Sequence, residues 1–235
     1  MSIRGKAFAV TGGSGNLGHA TAALLLERGA TLLLLDHAAK RSTEAFVREI
    51  ALGTVTVTAV DLTDEALVKT AIEAELARRG RFDGIVCTVG GYKAAPIAET
   101  SWADWESMLT INLQATVASS SAVLPTLLAR GEGSIVHVAS LSALAGSSGQ
   151  AAYSAAKAAV LRFSESLADE VKAQGVRVNA VLPGTMDTPQ NRSWMSTADA
   201  AKAIDTKHVA EVIAFLLSDA AAAVTGAAVR VTGRQ

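Results

Sequence analysis

The chain has 235 residues, a net charge of −1 at neutral pH, 50% hydrophobic residues and 18% charged ones, which suits one α/β domain with a substantial core and excludes a disordered chain. There is no basic block to mark a nucleic-acid partner and no apolar run of membrane-spanning length, so neither nucleic acid nor a membrane is expected. The single Cys87 excludes an internal disulfide framework and fits a reducing compartment, and no cationic segment with an apolar signal core precedes the first strand, so the expected location is cytoplasmic.

The chain opens with Lys6-Ala-Phe-Ala-Val10, a short buried strand, then Thr11-Gly-Gly-Ser-Gly-Asn-Leu-Gly18, then an apolar helical stretch over residues 20–28. Strand, glycine loop and helix form the context of a phosphate-binding turn, and Gly13, Gly15 and Gly18 fit G-x-G-x-x-G. Glycines let a pyrophosphate approach the backbone N–H groups, and a helix starting near Asn16 adds its positive dipole end.

The next strand is Thr31-Leu-Leu-Leu-Leu-Asp36. An acid about 20 residues past the loop is placed to accept hydrogen bonds from the adenosine ribose, and its charge repels a 2′-phosphate. The expected cofactor is therefore NAD(H) rather than NADP(H). Two alternatives stay open here: Asp36 as the cap of the following helix, and Lys40 or Arg41 as partners of a 2′-phosphate.

Short apolar runs then alternate with helical stretches, with further strands expected near residues 54–60, 83–89, 133–140, 176–182 and 227–232. The pattern predicts a Rossmann-type doubly wound parallel sheet of about seven strands with helices on both faces. Neither a linker nor a repeat divides residues 1–235, so one dinucleotide-binding and catalytic domain is expected.

Tyr153 and Lys157 stand four residues apart in the alanine-rich Ala151-Ala-Tyr-Ser-Ala-Ala-Lys-Ala158. Alanine favours a helix, and an i, i+4 pair shares one face. A phenol, with a pKa of about 10 in water, is a poor proton carrier at neutral pH. An ammonium beside it favours the phenolate, and the expected result is a general acid/base whose pKa is pulled down toward working pH.

The glycine loop, Ser140, Tyr153 and Lys157 together resemble the short-chain dehydrogenase/reductase family over nearly the whole chain. The resemblance implies that Ser140 holds the substrate oxygen and that Tyr153 gives or takes its proton. Lys157 would bind the nicotinamide ribose and lower the tyrosine pKa, and Asn112, in Ile111-Asn-Leu113, would support a proton-relay water. Cofactor contacts are implied for Gly12, Ser14, Gly15, Asn16, Leu17, Asp36, Asp61, Leu62, Gly90, Pro183, Gly184 and Thr188, besides Tyr153 and Lys157. In that scheme Asp61 meets the adenine amino group, Pro183-Gly184 turns beside the nicotinamide, and Thr188 contacts the carboxamide. Ser218-Asp219, Val224-Thr-Gly226 and Val229-Arg-Val231 resemble the family's last helix and strand.

There are departures from the family pattern. T-G-x-x-G-x-x-G stands where compact members usually carry T-G-x-x-x-G-x-G, and Cys87-Thr-Val-Gly90 replaces Asn-Asn-Ala-Gly, a motif that mainly steadies the sheet. A narrower resemblance, in Cys87-Thr-Val-Gly-Gly-Tyr92 and in the segment after Pro183, is to quinonoid dihydropteridine reductases. Those enzymes typically lack the serine found here at position 140, which favours ordinary carbonyl/hydroxyl chemistry.

Specificity in the family comes from the segment after Pro183-Gly184, here residues 185–206. In it, Trp194 and Met195 offer apolar contact, and Arg192 offers a partner for an anionic or polar group; Tyr92 and Lys93 are candidates for the opposite wall. The alternative is that Trp194 packs beneath the segment while Arg192 and Lys93 are solvated. His19, His37, His137 and His208 fall on different elements without ligand spacing, so no metal is expected. Cys87 reads as an inert buried thiol. Trp102, Trp105 and Met108 form either a core stripe or a pairing surface, and the resemblance implies a homodimer or homotetramer acting on a small molecule. A non-catalytic dinucleotide-sensing module is the rival function, but such relatives usually lose the tyrosine or the lysine.

Overall fold

A computed structural model describes residues 2–37 and 39–233. Met1, Ala38, Arg234 and Gln235, which belong to the expected 1–235 domain, lie outside the described residues. The first half runs β1 (Ala7–Thr11), α1 (Asn16–Glu27), β2 (Thr31–Asp36), α2 (Lys40–Ala45), α3 (Val47–Ala51), β3 (Val55–Ala59), α4 (Glu65–Arg79) and β4 (Gly84–Cys87). The second half runs α5 (Trp102–Leu109), α6 (Ala115–Arg130), β5 (Gly133–Val138), α7 (Ala151–Val171), β6 (Val176–Pro183), β7 (Met186–Asp187), α8 (Pro189–Arg192), α9 (Thr197–Ala200), β8 (Ile204–Asp205), α10 (Thr206–Leu217) and β9 (Ala228–Val231).

The sheet has seven strands in the order β3-β2-β1-β4-β5-β6-β9, and every pairing within it is parallel. Both faces are covered, which is why Thr31-Leu-Leu-Leu-Leu-Asp36 reads as an unbroken apolar run. Leu32 and Leu34 face the layer that holds α1 and α10, while Leu33 and Leu35 face the layer of α4, α6 and α7. The chain leaves β1 in one direction along the sheet and returns at β4 to build in the other. In open sheets of this kind the crevice at that reversal, beyond the carboxyl ends of the strands, is where ligands bind.

Two expected strands are shorter than the apolar runs implied. The run at 83–89 pairs only to Cys87 and the run at 133–140 only to Val138. Thr88 leaves the ladder because its hydroxyl donates to Thr11 O at 2.6 Å. Ser140 leaves it because its hydroxyl accepts from Ser142 N at 3.1 Å, opening a short turn. A second small sheet was not foreseen: β7 pairs in parallel with β8, so the two ends of the segment after Gly184 are held together. Asn112 sits on a π-helical turn, Thr110–Gln114, between α5 and α6, a distortion that frequently marks functional positions.

Candidate active site

The glycine loop is built around close approaches. Gly12 has φ +73°, and a Cβ there would meet Val89 Cγ2 at 2.9 Å; a Cβ on Gly18 would lie 2.0 Å from Gly12 O. Only glycine lets α1 pack this tightly against the loop. Gly15 N donates to Gly12 O at 2.9 Å, and no side chain caps the start of α1. The helix N-terminus thus points N–H groups at the crevice, which suits a pyrophosphate.

Asp36 is buried at 7% exposure. Its Oδ2 accepts from Ser14 N, and from Ser42 Oγ at 3.4 Å. The carboxylate thus ties β2 to the glycine loop and does not cap α2, whose N-cap Ala39 has no side-chain bond. Asn16 reaches away from the loop: its Nδ2 donates to Gln190 Oε1 of α8 at 2.8 Å. Asp61 is exposed and accepts from Thr63 N at 2.9 Å and from Thr63 Oγ1 at 2.7 Å, bonds that hold its carboxyl below the usual range. Leu62 beside it is buried. Lys40 pairs with Glu44 across 3.8 Å in solvent. Arg41 is exposed near His19, whose pKa is lowered by burial and by the Arg41 charge.

A cleft of about 360 Å³ opens at the carboxyl ends of the strands. Three elements bring the four predicted catalytic side chains to it: Ser140 just past β5, Tyr153 and Lys157 from one face of α7, and Asn112 from the π turn. Leu17, Gly90, Pro183 and Gly184 line it as well. Gly12, Ser14, Gly15 and Asn16 form the loop beyond Leu17, and Asp36, Asp61 and Leu62 lie farther along the same sheet edge. Thr188 is not among the lining residues; its hydroxyl accepts from Asn191 N at 3.2 Å and caps α8. Thr185, three positions earlier, does line the cleft, as do Thr88 and Gln150. Sequence reasoning missed these three, although Thr185 follows the Pro-Gly turn directly.

The electrostatics differ from the expected pairing. Lys157 is buried at 5% exposure and donates to Val138 O at 2.9 Å. Burial lowers its pKa to about 8. Tyr153 is half-buried, and its pKa moves up: burial raises it, a hydrogen bond with Ser140 opposes the rise, and Tyr92 adds to it. The expected downward pull by Lys157 is therefore corrected. Loss of hydration outweighs what Ser140 returns to the phenolate.

Asn112 is fully buried; its Nδ2 donates to Met108 O at 2.9 Å and to Gly91 O at 3.0 Å, while its Oδ1 has no hydrogen-bond partner. A Cβ on Gly90 would come within 2.6 Å of that oxygen and 3.0 Å of Lys157 Nζ. The side-chain oxygen and the ammonium thus face one small space that only glycine leaves open. An acceptor without a donor beside an ammonium with donors to spare fits hydroxyl groups or water. Together with the glycine cradle at Gly12 and Gly18, this space fits a dinucleotide lying from α1 to α7.

Arg192 lies outside the cleft lining: its Nε and Nη2 donate to the two carboxylate oxygens of Asp187. Lys93 pairs with Asp104. Trp194 and Tyr92 line the cleft, whereas Met195 does not. Trp105 and Met108 pack with Tyr153 and Ala152, but Trp102 is exposed. Cys87 is buried, with its thiol pushed up to about 12. Among the described residues no cluster of three His, Cys, Asp or Glu side chains is placed to hold a metal ion, and no helix is long and apolar enough to cross a membrane.

The profile of the family described as short chain dehydrogenase matches residues 6–199. The chain is 35% identical over 243 residues to the cis-4-hydroxycyclohexanecarboxylate dehydrogenase of Sinomonas cyclohexanicum, covering 97% of this chain and 98% of that one. It is 30% identical over 243 residues to a 3-oxoacyl-acyl-carrier-protein reductase of Thermotoga maritima, covering 99% and 98%. A solved short-chain type dehydrogenase/reductase from Mycobacterium ulcerans has the same fold, with a TM-score of 0.93 at 28% identity over 100% of this chain and 90% of that chain. The chain belongs to the short-chain dehydrogenase/reductase family, whose members are oxidoreductases that act on CH–OH and C=O groups with nicotinamide cofactors.

Proposed function

We propose that the chain is an NAD(H)-dependent oxidoreductase in which Tyr153 is the general acid/base for a carbonyl or hydroxyl of a small molecule. The observation that carries this reading is the meeting of Ser140, Tyr153, Lys157 and the unpartnered Asn112 Oδ1 in one cleft at the sheet's reversal point. A bound nicotinamide supplies or takes the hydride. Ser140 holds the substrate oxygen and orients it toward the Tyr153 hydroxyl. A phenol with a raised pKa is protonated at neutral pH, so Tyr153 rests in the form that donates a proton to a carbonyl. Alcohol oxidation needs the phenolate and is favoured as pH rises. Lys157, with a pKa of about 8, is able to take up and release a proton near neutrality. Asn112 Oδ1 anchors the water through which that proton reaches solvent.

The NAD(H) preference rests on the buried Asp36 carboxylate at the end of β2, whose charge repels a 2′-phosphate. A homodimer or homotetramer is part of the proposal, and light scattering that finds only monomer contradicts that part. The test of the function is a panel of ketones, quinones and quinonoid dihydropterin offered with NADH. Consumption of a ketone supports the reading. Consumption of the pterin alone makes the chain a dihydropteridine reductase, and NADH binding without any turnover makes it a sensing module.

A further inference from the structure

The charges around the cleft narrow the substrate class, an inference that rests on the oxidoreductase reading above. Among the described residues that line the cleft, Lys157 is the sole charged side chain, and it is buried and bonded to Val138 O. Arg192 and Lys93, which follow the lining residues Asn191 and Tyr92 in the chain, are each engaged by an acid. Arg192 grips both oxygens of Asp187, and Lys93 pairs with Asp104. These pairs hold the Asp187 carboxyl below its ordinary range and the Asp104 carboxyl at about 2, so both acids are ionised at neutral pH and offset the two cations.

The remaining wall is neutral. Tyr92 is 54% exposed and Trp194 61% exposed, and Leu141 and Met186 add apolar surface. Large bare rings on a cleft wall are surface that a ligand covers. Ser142 Oγ donates to Gln150 Oε1 at 3.1 Å, so these two polar side chains serve each other. A carboxylate lying against this wall loses water and meets no free cation there, which is costly.

We propose that the substrate is an uncharged, largely apolar ketone or secondary alcohol whose ring or chain lies against Tyr92 and Trp194. The exclusion of anions comes from internal pairing of Arg192 and Lys93, not from an absence of basic residues.

The test compares two ketones of similar shape with NADH: 4-methylcyclohexanone and 4-oxocyclohexanecarboxylate. The expected kcat/KM for the carboxylate is lower by about a hundredfold or more at neutral pH. Trp194→Ala and Tyr92→Ala are each expected to raise KM for the methyl ketone by about tenfold, with Kd for NADH unchanged. Equal or faster turnover of the carboxylate overturns the inference. If NADH binds and neither ketone is reduced, the oxidoreductase reading fails for this class, and binding then decides the inference separately. Quenching of tryptophan fluorescence in the NADH-loaded protein by the methyl ketone, absent in Trp194→Phe and not produced by the carboxylate, supports it; equal quenching by both ketones, or by neither, overturns it.

Discussion

The ring of Tyr92 stands edge-on to the ring of Tyr153, with centroids 4.9 Å apart and planes at 80°. These are the chain's two tyrosines, so a phenol of the cleft wall touches the phenol proposed to carry the proton. The edge-to-face contact restrains the Tyr153 ring, and the Tyr92 oxygen adds to the rise in the Tyr153 pKa. Tyr92→Phe keeps the ring contact and removes the oxygen. The Tyr153 pKa is expected to fall relative to wild type, and the rising limb of alcohol oxidation against pH to move to lower pH. Ultraviolet titration reads this directly, because the variant has one tyrosine. An unmoved titration contradicts the coupling.

Gly90 guards the space between Asn112 Oδ1 and Lys157 Nζ. Gly90→Ala places a Cβ 2.6 Å from the oxygen and 3.0 Å from the nitrogen, so one or both side chains must shift. Displacement on this scale is expected to lower kcat by about a hundredfold. Circular dichroism is expected to stay native-like, because the clash is confined to the cleft floor. Wild-type kcat in Gly90→Ala would mean that this space has no part in turnover.

Asp36 is expected to set the cofactor. Asp36→Ala removes a charge that repels a 2′-phosphate and also frees Ser14 N from its partner. NADH affinity is expected to fall and the preference for NADH over NADPH to shrink by about tenfold or more. Calorimetric titration of wild type and variant with both dinucleotides gives the ratio. A wild type that prefers NADPH contradicts the assignment.

His137 makes folding stability depend on pH. It is fully buried on β5, stacked on Phe163 at 5.4 Å, with Nε2 2.8 Å from Ser120 Oγ and Nδ1 2.7 Å from Ser164 Oγ. Burial lowers its pKa from 6.5 to about 3. Between those values the unfolded chain binds a proton that the folded chain does not. Stability is therefore full above pH 6.5 and is lost as pH falls, with this residue contributing about 1.4 kcal/mol per pH unit. His137→Leu is expected to flatten that slope in urea unfolding between pH 7 and 5. Ser120 and Ser164 are still satisfied in the variant, since each hydroxyl lies 2.7 Å from a backbone carbonyl to which it is then free to donate. An unchanged slope contradicts the account.

The features legible in the chain were those set by local chemistry. The unbroken Leu32-Leu-Leu-Leu35 run announced a strand buried on both faces, and the Gly12 to Gly18 spacing announced a tight strand-to-helix turn. Tyr153 and Lys157 shared a face because i, i+4 residues on a helix do so. What escaped were contacts made by residues distant in sequence. The β7–β8 pairing involves two residues per strand, too short for an apolar pattern to mark it. Asn16 meets Gln190, Arg192 meets Asp187 and Lys157 meets Val138 O only after the chain has folded. Burial of Tyr153, which likewise exists only in the folded chain, turns its pKa upward, against what helical spacing alone implied. Thr188, matched by motif, caps a helix, while its neighbour Thr185 faces the cleft.

The central claim is that the Tyr153 oxygen carries the substrate's proton. Its most direct test is NADH-dependent reduction of an accepted ketone by Tyr153→Phe, alongside NADH binding to the same variant. The account predicts a loss in kcat of about a thousandfold, with the dinucleotide still bound. Near-wild-type kcat in that variant would contradict it.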